Sequence, residues 1–203
     1  MKDELMGSEE TLAKSDTDLV LEFKEGREHA FDELVERHMN KAIQFAYVVV
    51  GNYEDAKDVS QEAFVKAYRS LKQFRLESKF STWFYRVLMN AAKDFLRKRS
   101  WKRFLKWERN ESMERFFESV EDKRTFPGKE LLGEELGRKM TCAITRLPFK
   151  QRCVFNLRFI EGLSIQEICE ATDLAEGTVK ATLHFAVRKF KDALNPYLAE
   201  GRR

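Results

Sequence analysis

Apolar residues return every three or four positions along most of this chain, the period of a helix with one buried face. The first fifteen residues lack that period and read as a disordered, frayed tail. "DTDLVLEF" then opens it, with Asp16 or Thr17 placed to cap the first turn. Gly26 interrupts this helix, and "EHAFDELVERHMNKAIQFAYVVV" follows with Phe31, Leu34, Val35, Ile43 and Ala46 at helical spacing. Gly51-Asn52 marks a turn. Ala56, Val59, Ala63, Ala67 and Leu71 line one side of a third helix. The loop "KQFRLES" leads into a fourth, "KFSTWFYRVLMNAAKDFLRKR". Residues 16–100 thus read as one helical block.

The pattern weakens over residues 101–130. "WERNESMERFFESVEDKRTFPGKE" is charged, poorly periodic and closes on Pro-Gly, as a flexible linker does. Periodicity returns over 131–200, where Leu131, Leu132, Leu136 and Met140 fit one amphipathic helix. "LPFKQRCVFNLRFIEGLS" opens on a proline near a helix start and stops at Gly162. The expected fold is all-α: two helical domains and a linker, with no internal repeat.

The last two helices, "SIQEICEA" and "EGTVKATLHFAVRKFKDAL", are joined by only "TDLA", the spacing of a helix-turn-helix. Ser164 and Glu167 form a capping box, and Asp173 suits a left-handed turn position. Ile165, Ile168 and Cys169 face inward. In the second helix Val179, Leu183, Ala186 and Phe190 make the inward stripe. Thr178, Ala181, His184, Phe185 and Arg188 fall opposite, flanked by Lys180 and Lys189. That face suits a major groove, with lysines at the phosphate rims. Phe185 can touch a thymine methyl, a protein partner or the neighbouring block.

The fourth helix divides in the same way. Phe84, Val87, Leu88, Ala91 and Phe95 supply a core face, while Arg86, Asn90, Lys93 and Arg97 line up opposite. Trp83 lies at the edge of that polar line, and Tyr85 lies between the two faces. Cations neutralise phosphates, asparagine pairs with a base edge, and an aromatic ring stacks on an unpaired base for about 1–3 kcal/mol. The combination favours bases that have left a duplex.

Composition narrows the class. A net charge of +3 over 203 residues gives no global case for nucleic acid, so local patterning carries it. No apolar stretch reaches membrane-spanning length, and the N-terminus has no secretory signal pattern. Cys142, Cys153 and Cys169 lack metal-ligand spacing and read as reduced core thiols of a cytoplasmic protein. His29, His38 and His184 form no metal-binding pair, and no nucleophile or carboxylate–histidine set points to an enzyme. No cofactor or metal is expected.

On these motifs the chain resembles the bacterial sigma factors, specifically the two-domain extracytoplasmic function (ECF) group of the sigma-70 family, over nearly all of residues 16–195. "DAKDVSQEAFVKAYRSLKQF" is similar to region 2.2, and "FRLESKFSTWFYRVLMNAAKDFLRKR" to regions 2.3 and 2.4. "LPFKQRCVFNLRFIEGLSIQEICEATDLAEGTVKATL" is similar to region 4. The resemblance implies a non-catalytic specificity factor that binds core RNA polymerase through its β′ and β subunits. It would direct the enzyme to promoters by their −10 and −35 elements, assist melting, and answer to an anti-sigma factor.

Roles follow residue by residue. Asp58, Gln61, Glu62 and Phe64 match the surface that binds the β′ coiled coil, and Asp55 extends their acidic line. Ser78 and Lys79 of the loop, with Trp83, Tyr85, Arg86, Asn90, Lys93 and Arg97, fall in the part that opens and reads the −10 element. Thr178, Lys180, Ala181, His184, Phe185 and Arg188 match the −35 reading helix. The linker would run near the polymerase active-site channel. One stretch departs from the family: Ala175 stands at the usual capping serine, Ala181-Thr182 replaces Ser-Arg, and Phe185 and Val187 stand where basic residues are usual. The competing reading is a dimeric helix-turn-helix regulator, which has no use for an aromatic melting helix.

Overall fold

The computed structural model describes residues 14–107 and 134–200, with side chains described over 14–100 and 139–195. The first block holds α1 (Asp16–Lys24), α2 (His29–Val50), α3 (Tyr53–Ser70) and α4 (Phe80–Trp107). The second holds α5 (Glu134–Thr145), α6 (Phe149–Phe159), α7 (Ile165–Thr172) and α8 (Glu176–Glu200). No strand occurs among the described residues. Helix α4 runs on to Trp107, past residue 100, where the sequence pattern placed the start of the linker. Leu131, Leu132 and residues 108–133 as a whole, including the acidic run from Glu108 to Asp122, lie outside the described residues.

Local chemistry sets the helix ends. Ser15, not Asp16 or Thr17, caps α1: its hydroxyl accepts from the Asp18 N–H, and the Asp18 carboxylate accepts from the Ser15 N–H. Asp16 is thereby free to pair with Arg37 and His38 of α2, at 3.1 and 2.6 Å. Gly51 ends α2 in the left-handed conformation, φ 81°. Asn52 caps α3 through the Asp55 N–H.

The first block closes on aromatic rings. Phe64 lies 4.4 Å from Phe84, which stacks on Phe80 at 5.8 Å, and Phe31 meets Phe64 edge-on at 6.4 Å. The expected stripe of Ala56, Val59, Ala63, Ala67 and Leu71 is buried.

The second block does not close by itself. In α6, five consecutive residues from Cys153 to Leu157 are buried, more than one helical face can supply. Their cover comes from the first block. Val48 of α2 shares a cluster with Ile144, Leu147, Phe155 and Ala186. Cys153, Val154, Leu157, Ile168 and Ala171 join the cluster that runs through α1–α4. Hydrogen bonds also cross this seam, to the carbonyls of Val49 and Phe45. Arg152 donates to the carbonyls of Val49, Thr145 and Leu147. Asn156 Nδ2 donates to the Phe45 carbonyl at 3.3 Å.

Candidate nucleic-acid interface

The fourth-helix line forms as its periodicity predicts. Arg86, Asn90, Lys93 and Arg97 are all exposed on α4, while Phe84, Leu88 and Ala91 are buried behind them. Trp83 is half-buried, stacked on Phe74 at 5.0 Å, which holds one ring face against the protein. The loop before α4 is tightly set. Leu76 takes a left-handed φ of 60° while its side chain packs against the core. A leucine in that region costs roughly 1–3 kcal/mol, and such strain gathers where a loop must present a fixed shape.

Two residues of the predicted sites are not on the free surface. Tyr85, assigned to the DNA set, is only 6% exposed. The second block covers it, and its hydroxyl donates to Glu161. Burial first, then the Glu161 charge, pushes the Tyr85 hydroxyl well above the ordinary tyrosine range. Phe64, assigned to the polymerase surface, is 5% exposed and sits inside the aromatic core. It lies on the buried side of α3, whereas Asp58, Gln61 and Glu62 of the same helix are exposed. Asp55 is half-buried and ion-paired with Arg99 of α4. Glu62 pairs with Lys66 at 3.6 Å, and Lys66 also reaches Asp94.

The head of the α4 line meets the helix-turn-helix. Lys79 Nζ lies 2.8 Å from Glu167. Arg86 donates to the Glu170 carbonyl at 2.8 Å and lies 3.5 Å from the Asp173 carboxylate. The Lys79 contact, helped by the Ser164 cap, holds the Glu167 carboxyl down at about 2. Ser78 is half-buried in the same loop. Beyond these contacts a cleft of about 380 Å³ opens, walled by Asn90 and Lys93 of α4 and by Phe149 and Lys150 of α6.

The helix-turn-helix has the expected caps. Ser164 and Glu167 form the capping box, and Asp173 takes φ 59° in the turn. On α8 the inward stripe is Val179 and Ala186, both buried, with Leu183 and Phe190 half-buried. Thr178, Lys180, Ala181, His184, Phe185 and Arg188 are all exposed. Phe185 is 46% exposed and does not pack on the first block. The Arg188 guanidinium lies over its ring at 5.6 Å, and His184 meets it edge-on.

Comparison with known proteins places this geometry. Residues 34–102 match the family described as sigma-70 region 2, and residues 137–190 match sigma-70, region 4. The ECF RNA polymerase sigma factor SigW of Bacillus subtilis is 34% identical over 167 residues, 81% of this chain and 89% of SigW. The RNA polymerase sigma-H factor of Pseudomonas aeruginosa is 34% identical over 190 residues, 92% of this chain and 97% of that protein. The chain belongs to the sigma-70 family, in its ECF group. Its fold is shared with the solved sigma factor RpoE of Bartonella quintana, crystallised with the anti-sigma factor NepR. The TM-score is 0.65 at 19% identity, over 81% of this chain and 96% of RpoE.

Sequence reasoning missed how the two blocks of this sigma factor meet. Arg152, Asn156, Glu161, Glu167 and Glu170 were not singled out as contacts, yet each bridges the seam. A signal was present in "FAYVVV". Phe45 through Val50 are all buried, and a helix end that is apolar all round must be covered all round. Cys153 is fully buried beside that seam, where burial pushes its thiol up to about 12 and leaves it unreactive. Among the described residues, no helix is long and apolar enough to cross a membrane, and no group of three His, Cys, Asp or Glu could hold a metal.

Proposed function

We propose that this chain acts in the cytoplasm as a promoter-specificity subunit with no catalytic chemistry of its own. Residues 16–100 serve as region 2 and residues 131–200 as region 4. The exposed Asp58, Gln61 and Glu62 of α3 meet core RNA polymerase at β′, and the second block reaches β. Lys79, Arg86, Asn90, Lys93 and Arg97, with Trp83 at their head, take the opened −10 strand. Thr178, Lys180, Ala181, His184, Phe185 and Arg188 read the −35 duplex. An anti-sigma factor is the class of protein partner that fits this group.

One observation carries the reading most: a continuous exposed line of Arg, Asn, Lys and Arg on the face of α4 opposite its aromatic core. A solvated helix needs no such line, whereas phosphate and base contact requires cations and an amide on one side. The test is transcription in vitro with purified core polymerase on candidate promoter fragments. Specific start sites that depend on this chain are expected. Stable binding to core with no specific start from any fragment would sink the reading.

A further inference from the structure

The exposed face of α8 is apolar at its centre. Thr178, Ala181, Phe185 and Arg188 follow one another at spacings of three, four and three, so they share one side of the helix. All four are exposed, while Val179 and Ala186 of the inward stripe are buried behind them. The first three present a methyl, a methyl and a ring, with the Thr178 hydroxyl as their one hydrogen-bonding side-chain group. None has the paired donors or acceptors that read guanine or adenine in two bonds. What such a face can read in a major groove is the C5-methyl of thymine, which Ala, the Thr methyl and Phe all contact well. We propose that Phe185 reads a thymine methyl in the −35 duplex, and that Arg188 is a positioning residue that holds its ring. The proposal rests on the sigma-factor reading and names the base contact at that site.

Three features favour a base contact. Phe185 belongs to neither apolar cluster of the fold, so core packing does not account for its place. Among the described residues of α8 it is the one large apolar side chain left exposed. Its ring is nevertheless held. The Arg188 guanidinium lies over one face, and His184 meets the ring edge-on at an interplanar angle of 78°. A ring oriented in advance loses less freedom when it meets a base. The surroundings fit a duplex better than an apolar protein patch. Three and four positions away on the helix stand Ala181, Thr182, Arg188 and Lys189. A docking patch would continue the apolar surface beyond the ring. Here two cations flank it on one side, where phosphates border a groove.

Deoxyuridine lacks only the methyl of thymidine and keeps its pairing and its groove acceptors, so it isolates this contact. The full chain, bound to core polymerase, first selects duplexes from a pool randomised over the −35 segment. The retained sequences should carry a thymine at one fixed position, and the Phe185→Ala chain should lose that preference. In the selected duplex each thymine is then replaced by deoxyuridine in turn. One replacement should weaken binding of the parent by about threefold to fivefold, the worth of one buried methyl. The same replacement should leave binding of Phe185→Ala unchanged. Arg188→Ala should shrink the ratio between the two duplexes, because the ring is no longer held. A residue that only touches phosphate would weaken both duplexes equally and leave that ratio intact. Equal binding of every thymine and deoxyuridine duplex by the parent would overturn the proposal. So would a methyl effect that survives in Phe185→Ala. If the pool yields no preferred sequence at all, the sigma-factor reading falls and this contact with it. A −35 preference that ignores the methyl removes the contact alone.

Discussion

Helices α4 and α8 carry the two surfaces proposed to meet promoter DNA, and the fold treats them in opposite ways. At the head of α4, Lys79 of the preceding loop and Arg86 are held by α7 and the turn after it, and the neighbouring Tyr85 is buried. The α8 face is open throughout. The difference follows from how the blocks close. Four helices of the first block enclose their own aromatic core. The second block leaves α6 with apolar residues on too many sides, and α2 ends apolar all round. Each needs the other's cover, and their union carries α7 onto α4. Cover over one DNA surface is thus a by-product of core packing, trimmed by charges at the rim.

The largest effect should come from the aromatic core of the first block. Phe64→Ala removes a ring packed between Phe31 and Phe84 and should cost about 3–5 kcal/mol. The melting temperature should fall by about 10 °C, read by circular dichroism. Polymerase binding then fails through unfolding. Glu62→Ala, on the exposed side of the same helix, should stay within about 0.5 kcal/mol of the parent and lose polymerase affinity alone. If Phe64→Ala melts like the parent yet loses polymerase, the aromatic core has been misassigned.

The seam should be weaker. Asn156→Ala deletes the amide that donates to the Phe45 carbonyl, a bond between blocks that touches neither DNA surface. About 1 kcal/mol should be lost, seen as a lower denaturation midpoint. The side-chain oxygen of Asn156, Oδ1, is buried without a protein partner, which keeps the expected loss small. Transcription should be retained, because neither proposed DNA surface is touched. A fall in transcription with an unchanged midpoint would break the contrast drawn between the two surfaces.

Acidity separates the rim from the interior with a smaller signal. Glu167 is held at about 2 by Lys79 and the Ser164 cap, against an ordinary 4.5. A carboxylate held low stabilises the fold above its ordinary value, and that stabilisation is lost as pH falls from 4.5 towards 2. Burial shifts Glu161 upward, outweighing its Tyr85 hydrogen bond. Its contribution has the opposite sign: it is complete below 4.5 and is lost as pH rises through the raised value. Glu167→Gln should therefore melt below the parent at pH 6 and converge with it near pH 2. Glu161→Gln should melt above the parent at neutral pH and converge below pH 4.5. Parallel pH profiles for the two variants would contradict these assignments.

Most helices were legible because each block carries a clean 3.6-residue period. The helix-turn-helix was legible in its Ser164–Glu167 box and its left-handed Asp173, although Thr172, read as part of the turn, is the last residue of α7. What periodicity could not supply is the partner of an apolar face. It put Tyr85 between two sides of α4 without showing that a second block would cover it. Phe64 sits in a stretch shared with the polymerase surface, and sequence similarity marks the stretch, not the side of the helix. Its spacing from Val59 and Ala63 placed it beside the core, and packing against Phe31 and Phe84 decided the matter. The cap of α1 was missed by one residue because three oxygen-bearing side chains stand in a row, Ser15, Asp16 and Thr17. Only the reciprocal bond to Asp18 selects among them.

The open surface offers the finest test. On α8 Phe185 is solvent-facing with Arg188 laid over its ring. An aromatic there adds contact area but no counterion release. Phe185→Arg supplies one more phosphate contact, so the slope of log affinity against log salt should steepen by about 0.9 for duplex carrying the −35 site. Two arginines three positions apart on one helix repel by a few tenths of a kcal/mol, so stability should barely move. An unchanged slope would mean that residue 185 faces a protein partner instead of phosphate.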